Sequence, residues 1–137
     1  MTFTLARGGG ECDPDCPEWI AAQGEITPAT AAAFRAFLDK MDGRRRPIVI
    51  NSGGGSVDAG IEMGRLIRAR KLAVAVGVTR VFEPPSAFNL MPPSVRTPKL
   101  GYASSYPAFC ASACTLVLAA GVERYASPLA LVGVRNQ

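Results

Sequence analysis

The chain contains no histidine among its 137 residues. That removes the side chain most used as a general base near neutral pH, and the commonest metal ligand. Aromatic residues are few, at 7%. The basic residues give a net charge of +4 but scatter, apart from Arg44-Arg45-Arg46 and Arg68-Ala69-Arg70-Lys71 near the ends of predicted helices. Without a sustained basic stripe and interleaved aromatics, no nucleic-acid partner is expected. No apolar run approaches the roughly 20 residues that a membrane span needs, so none is expected. Met1 to Gly10 lacks the apolar core of a secretory leader, which predicts either a cytoplasmic protein or one whose leader lies outside this sequence.

What is present is globular in kind. Hydrophobic residues make up 48% and charged residues 19%, which with this length predicts a single domain over residues 1–137. The four cysteines form two close pairs, Cys12 with Cys16 and Cys110 with Cys114. Their spacing fits neither a CxxC redox motif nor a usual zinc knuckle, so disulfides in an oxidising compartment are expected rather than a metal site. The sequence does not choose among the three possible pairings. A Cys110 to Cys114 bridge with Cys114 in a first helical turn would need Cys110 to be still extended.

Thr2 to Arg7 and Glu18 to Gly24 read as short strands. Thr27 is a natural N-cap, with Pro28 suited to the first helical position. Phe34, Phe37, Leu38 and Met41 then predict one buried helical face ending near Gly43. Pro47 to Ile50 reads as a buried strand. From Ser56 an amphipathic helix follows, with Val57, Ile61, Gly64 and Ile67 on one face. Leu72 to Val78, unbroken and valine-rich, predicts a parallel strand covered on both faces, and hence a right-handed βαβ unit. Residues 81–108 carry Pro84-Pro85, Pro92-Pro93, Pro98 and Pro107 and read as one long loop. Ala113 to Ala120 is an almost wholly apolar helix expected at the centre of the molecule. Leu129 to Val134 is a last buried strand.

Two segments carry chemistry. Asn51-Ser52-Gly53-Gly54-Gly55-Ser56-Val57 lies at a strand-to-helix turn. There glycine permits positive φ and close approach, and the helix start offers free N–H groups to an anion. Ser112 opens the apolar helix between Cys110 and Cys114. Alone it reads as a helix cap. Paired with the glycine turn, the Ala113 N–H and an N–H of the turn would supply two donors to one oxyanion, as acyl transfer requires.

Ile50-Asn51-Ser52-Gly53-Gly54-Gly55-Ser56-Val57-Asp58-Ala59-Gly60, followed by Ala111-Ser112-Ala113-Cys114 and Leu118-Ala119-Ala120-Gly121, resembles the two motif blocks of the Clp protease proteolytic subunit and the wider ClpP/crotonase superfamily. The similarity is greatest to periplasmic or secreted ClpP-like proteins and spans roughly Trp19 to Val134. The resemblance implies an α/β fold, a spiral of ββα units around a mainly parallel sheet, here C-terminally incomplete. It places Ser112 as nucleophile and the N–H groups of Gly55 and Ala113 as the oxyanion hole, with Gly54 and Ser56 beside them. A peptide or acyl substrate follows from it and, together with the cysteines, a periplasmic or secreted location. A possible homo-oligomer is expected instead from the edge and the part of the apolar helix left uncovered after the last strand. No metal, no other cofactor and no ATPase partner are implied.

The departures from the family pattern bear on activity. Where the family has its catalytic histidine, this chain reads Leu131-Val132-Gly133-Val134-Arg135. A guanidinium stays charged and takes no proton from a serine, although Arg135 suits an anionic ligand. The family's catalytic aspartate has no counterpart. The expectation is therefore a ClpP-like serine hydrolase domain of the cell envelope that is inactive or impaired as written. The alternative is a non-catalytic relative that binds a peptide or carboxylate. A Ser-Lys dyad through Lys99 is a further route, and crotonase-type acyl-CoA chemistry lacks an evident carboxylate to serve as its acid or base.

Overall fold

In the computed structural model, residues 1–82 and 98–134 are described. The chain folds as an α/β domain with a mixed, mostly parallel sheet and, among the described residues, three helices. β1 (Thr2–Arg7) and β2 (Glu18–Gln23) pair antiparallel, Leu5 opposite Ile20, around the loop closed by a Cys12–Cys16 disulfide. β3 (Ile48–Asn51) lies parallel to β2, with Ile20 opposite Ile48 and Gln23 opposite Asn51. β4 (Val74–Val76) is parallel to β3. The intervening helix α2 (Val57–Arg70) makes the expected strand-helix-strand unit.

Alternate strand residues face opposite ways. Leu5, Ile20, Ala22, Ile48, Ile50, Val74 and Val76 form one buried cluster with Phe34 and Leu38 of α1 (Thr30–Lys40), Met63 and Ile67 of α2, and Cys114 and Val117 of α3 (Ala113–Ala120). Ala6, Trp19 and Ala21 face the other side, where the Trp19 indole N–H donates to Thr79 Oγ1 at 2.9 Å.

Several expectations need correction. The helix expected from Thr27 begins at Thr30, with Ala29 as N-cap. Thr27 instead forms the turn ahead of it: its N–H donates to Thr30 Oγ1 at 2.8 Å, and its carbonyl accepts from Thr30 N–H at 3.0 Å. In α2 the inward face is Ala59, Gly60, Met63, Gly64, Leu66 and Ile67, while Val57 and Ile61 are exposed. The run from Leu72 to Val78 is two strands: β4 stops at Val76, and β5 (Val78–Val81) pairs antiparallel with β6 (Lys99–Ser104). The end of the proline-rich segment is thus strand rather than loop, and β6 also lies parallel to β1. Its middle falls outside the described residues.

The apolar helix α3 is not central. Ala113, Cys114 and Val117 are buried, whereas Leu116 is exposed. The last expected strand is shorter and exposed: β9 (Leu131–Gly133) pairs parallel with β7 (Phe109–Ala111), with Leu131 75% accessible. The two-residue strand β8 (Arg124–Tyr125) completes the large sheet, in the order β5-β6-β1-β2-β3-β4-β8. No helix among the described residues is long and apolar enough to cross a membrane.

Candidate active site

The carboxyl end of a parallel strand is where an open α/β sheet leaves a crevice for ligands. β3 ends there, and its continuation Ser52-Gly53-Gly54-Gly55 is held from two sides. Ser52 N–H donates to the Phe109 carbonyl, and Ala111 N–H to the Ser52 carbonyl, both at 3.0 Å. Asn51 Oδ1 accepts from Phe109 N–H at 2.8 Å, and the buried Ser52 Oγ accepts from Gly54 N–H at 3.1 Å. On the other side Ile26 N–H donates to the Gly54 carbonyl at 2.8 Å, and Ser56 N–H to the Ile26 carbonyl at 2.7 Å.

Gly54 (φ 98°) and Gly55 (φ 137°) both occupy the region that favours glycine. A Cβ on Gly54 would lie 2.6 Å from the Ala111 carbonyl oxygen, 2.8 Å from Ser112 Cβ and 3.0 Å from Ala113 N. On Gly55 it would strike the Ile26 carbonyl oxygen. The structure therefore brings the glycine turn directly against Ser112 and Ala113, which lie more than fifty residues further along the chain.

Ser112 has φ 56° and ψ −125° at the junction of β7 and α3. For a residue with a Cβ such a conformation costs on the order of 1–3 kcal/mol and persists only where the surroundings enforce it. The bland reading of Ser112 as a capping side chain does not hold, because its hydroxyl makes no cap hydrogen bond. Its backbone is tied instead: Ser112 N–H donates to the Gly133 carbonyl at 3.0 Å, and Thr115 donates to the Ser112 carbonyl through both N–H and Oγ1. Among the described residues no hydrogen-bond partner is found for the Ser112 hydroxyl or for the N–H groups of Gly55 and Ala113. Ser112 is half-buried, Ala113 buried and Gly55 exposed.

Ser56 has a structural task. Its hydroxyl caps α2 by accepting from Ala59 N–H at 3.2 Å. Arg135 lies outside the described residues. Lys99 is not brought to the site: it opens β6, opposite Ala6 of β1, three strands from β3 and so roughly 14 Å away laterally at the usual strand spacing. The cysteines pair as Cys12–Cys16 and Cys110–Cys114, so none is a free thiolate available to a metal. Cys110 is in a strand when Cys114 is in the first helical turn, as that bridge requires.

Sequence reasoning missed Ser52 and Ile26. Ser52 had a local signal, since a serine two residues before the N–H it accepts is a recognised turn device. Ile26 had none, because its part is played by backbone across a long sequence separation. Comparison of the chain with protein-family models, curated proteins and solved structures gave no match.

Proposed function

We propose that this chain carries a ClpP-like acyl-transfer site on a ClpP/crotonase-like spiral, with Ser112 as nucleophile and the Gly55 and Ala113 N–H groups as oxyanion hole. The observation that supports the reading most is that Gly54 packs against Ser112 and Ala113, where the Ser112 hydroxyl and the Ala113 N–H are unengaged, as is the N–H of the next turn residue, Gly55. Such donors stabilise the charge that develops on a carbonyl oxygen under attack. The substrate class is a peptide or another acyl compound.

The 137 residues supply no histidine and Lys99 is not brought to the site, so the family's kind of general base is lacking here. Loss of a triad base leaves residual catalysis, with reductions on the order of 10⁴ to 10⁶. Turnover by this chain alone is therefore residual. The same absence favours a second reading, a non-catalytic relative in which the two N–H groups hold a carboxylate and Arg135 adds charge. Two disulfides and the lack of a membrane-spanning helix among the described residues are compatible with a periplasmic or secreted location, which we adopt.

A fluorophosphonate probe tests the choice. Slow labelling that vanishes in Ser112→Ala is the expected outcome. A folded sample that stays unlabelled rejects the hydrolase reading and leaves carboxylate binding. Faster labelling in Arg135→His would identify position 135 as the place of the missing base.

A further inference from the structure

The candidate nucleophile lies inside a loop closed by a covalent bond. Cys110 is the middle residue of β7 and Cys114 the second residue of α3, so their disulfide encloses Ala111, Ser112 and Ala113. Four residues of extended chain reach about 14 Å. The Cα atoms of Cys110 and Cys114 are 5.2 Å apart, so the chain has to double back within the enclosed segment. The reversal falls on Ser112, at φ 56°.

Other restraints act on one arm of the bend at a time. The Gly133 carbonyl that accepts from Ser112 N–H belongs to the exposed strand β9. The Thr115 bonds to the Ser112 carbonyl are ones that an ordinary helix start also makes. Gly54 leaves room for the bend without forcing it. The disulfide grips β7 and α3 together, and both of its residues are fully buried, which anchors each arm in the core.

We propose that the Cys110–Cys114 disulfide is the positioning element of this site: its closure imposes the Ser112 bend and sets the Ala113 N–H beside the glycine turn. The meaning of the site rests on the acyl-transfer reading, whereas the clamp itself does not. Closure is thiol–disulfide exchange, in which the two thiols give up two protons and two electrons and a small-molecule or protein disulfide takes them to become two thiols. A chain kept reduced then has the residues of the site without its geometry, and the site assembles where a disulfide oxidant is present.

Nuclear magnetic resonance on the 137-residue chain tests this by comparing wild type with Cys110→Ala/Cys114→Ala, in which Cys12–Cys16 remains. The HN–Hα coupling and carbon shifts of residue 112 report the sign of φ. The expected result is positive φ in wild type and negative φ in the variant. Amide protection at Ser112 should fall at least about tenfold, with protection in β1 to β4 retained. Positive φ at Ser112 in the folded variant would overturn the proposal. Should that variant fail to fold, Ser112→Gly is added, since glycine takes positive φ freely. Folding restored by the glycine supports the clamp, and failure to restore it overturns it. Titration with sodium acetate, read at the Gly55 and Ala113 amides of wild type, reports separately on the anion cradle. No response there, with positive φ intact, leaves the clamp standing and counts against the acyl-transfer reading.

Discussion

Gly54 and Gly53 are neighbours with opposite tolerances. On Gly54 a Cβ would meet the Ala111 carbonyl oxygen at 2.6 Å and Ser112 Cβ at 2.8 Å, at a φ of 98°. On Gly53 it would meet only the Phe109 ring, at 3.5 Å. Left-handed backbone costs an ordinary residue about 1–2 kcal/mol, and overpacking typically adds about 1–3. Gly54→Ala should therefore lose roughly 2–4 kcal/mol in urea unfolding, while Gly53→Ala should stay within about 1 kcal/mol. Equal losses would mean that the turn does not press on Ser112 as described. A second residue-scale test lies on the opposite face of the sheet, where Thr79→Val keeps the shape but orphans the buried Trp19 indole N–H. Its expected cost is about 1–3 kcal/mol, and smaller when the same change is made in a Trp19→Phe background, where no indole N–H is left to orphan. The glycine turn and Ser112 were legible in the sequence because small residues and glycines at a strand-to-helix junction announce local geometry. The Trp19–Thr79 bond was not, since it joins residues sixty apart through tertiary folding alone.

At the scale of elements, β1, β2, β3 and α3 could be read from local patterning nearly to the residue. The inward face of α2 could not, and the reason is physical. Hydropathy favours Val57 and Ile61 as inward residues, yet the line along which α3 approaches α2 runs over Gly60 and Gly64, where only small residues fit. A Cβ on Gly60 would lie 3.1 Å from the Ala113 carbonyl oxygen, and one on Gly64 would lie 3.1 Å from Ala120 Cβ. Small residues on α2 thus set the height of α3 and, through Ala113, one donor of the candidate oxyanion hole. β6 escaped notice because it begins directly after Pro98 and has little alternation of its own; pairing with β1 and β5 makes it a strand. Two substitutions at Gly64 separate contact from propensity. Gly64→Ala gains about 1 kcal/mol of helix propensity against a tight but small contact and should change stability by less than about 1 kcal/mol. Gly64→Leu has no space against Ala120 and should lose about 1–3 kcal/mol by thermal or urea unfolding. A neutral leucine would show that the two helices are not in backbone-close contact.

For the whole molecule, the surplus of basic residues and the exposed side chains of β9 lie in different parts of the chain. Residues 35–71, which run from the middle of α1 through α2, hold nine basic and four acidic residues, a surplus of five where the entire chain has four. Two copies meeting through that layer would repel. The α3–β9 side is different. Tyr125, Leu129, Leu131, Val132 and Val134 are all exposed there, and a shallow groove joins Leu118 and Ala119 of α3 to Arg124 and Tyr125 of β8 and Val132 of β9. Among the described residues β9 pairs only with β7, so its other edge is unpaired. Contiguous apolar surface beside an unpaired strand edge favours association. The 137-residue chain is therefore expected to self-associate through this side, with a weight-average mass above 14.4 kDa that rises with concentration in sedimentation velocity. Leu131→Asp/Val134→Asp should bring the mass back towards 14.4 kDa without unfolding the domain, since both side chains are more than 70% accessible. At about 0.5 M salt, where the screening length falls to roughly 4 Å, an apolar contact persists and a charge-driven one weakens. A wild-type monomer at every concentration, or dispersal by salt with no effect of the aspartates, would exclude the α3–β9 side as the contact.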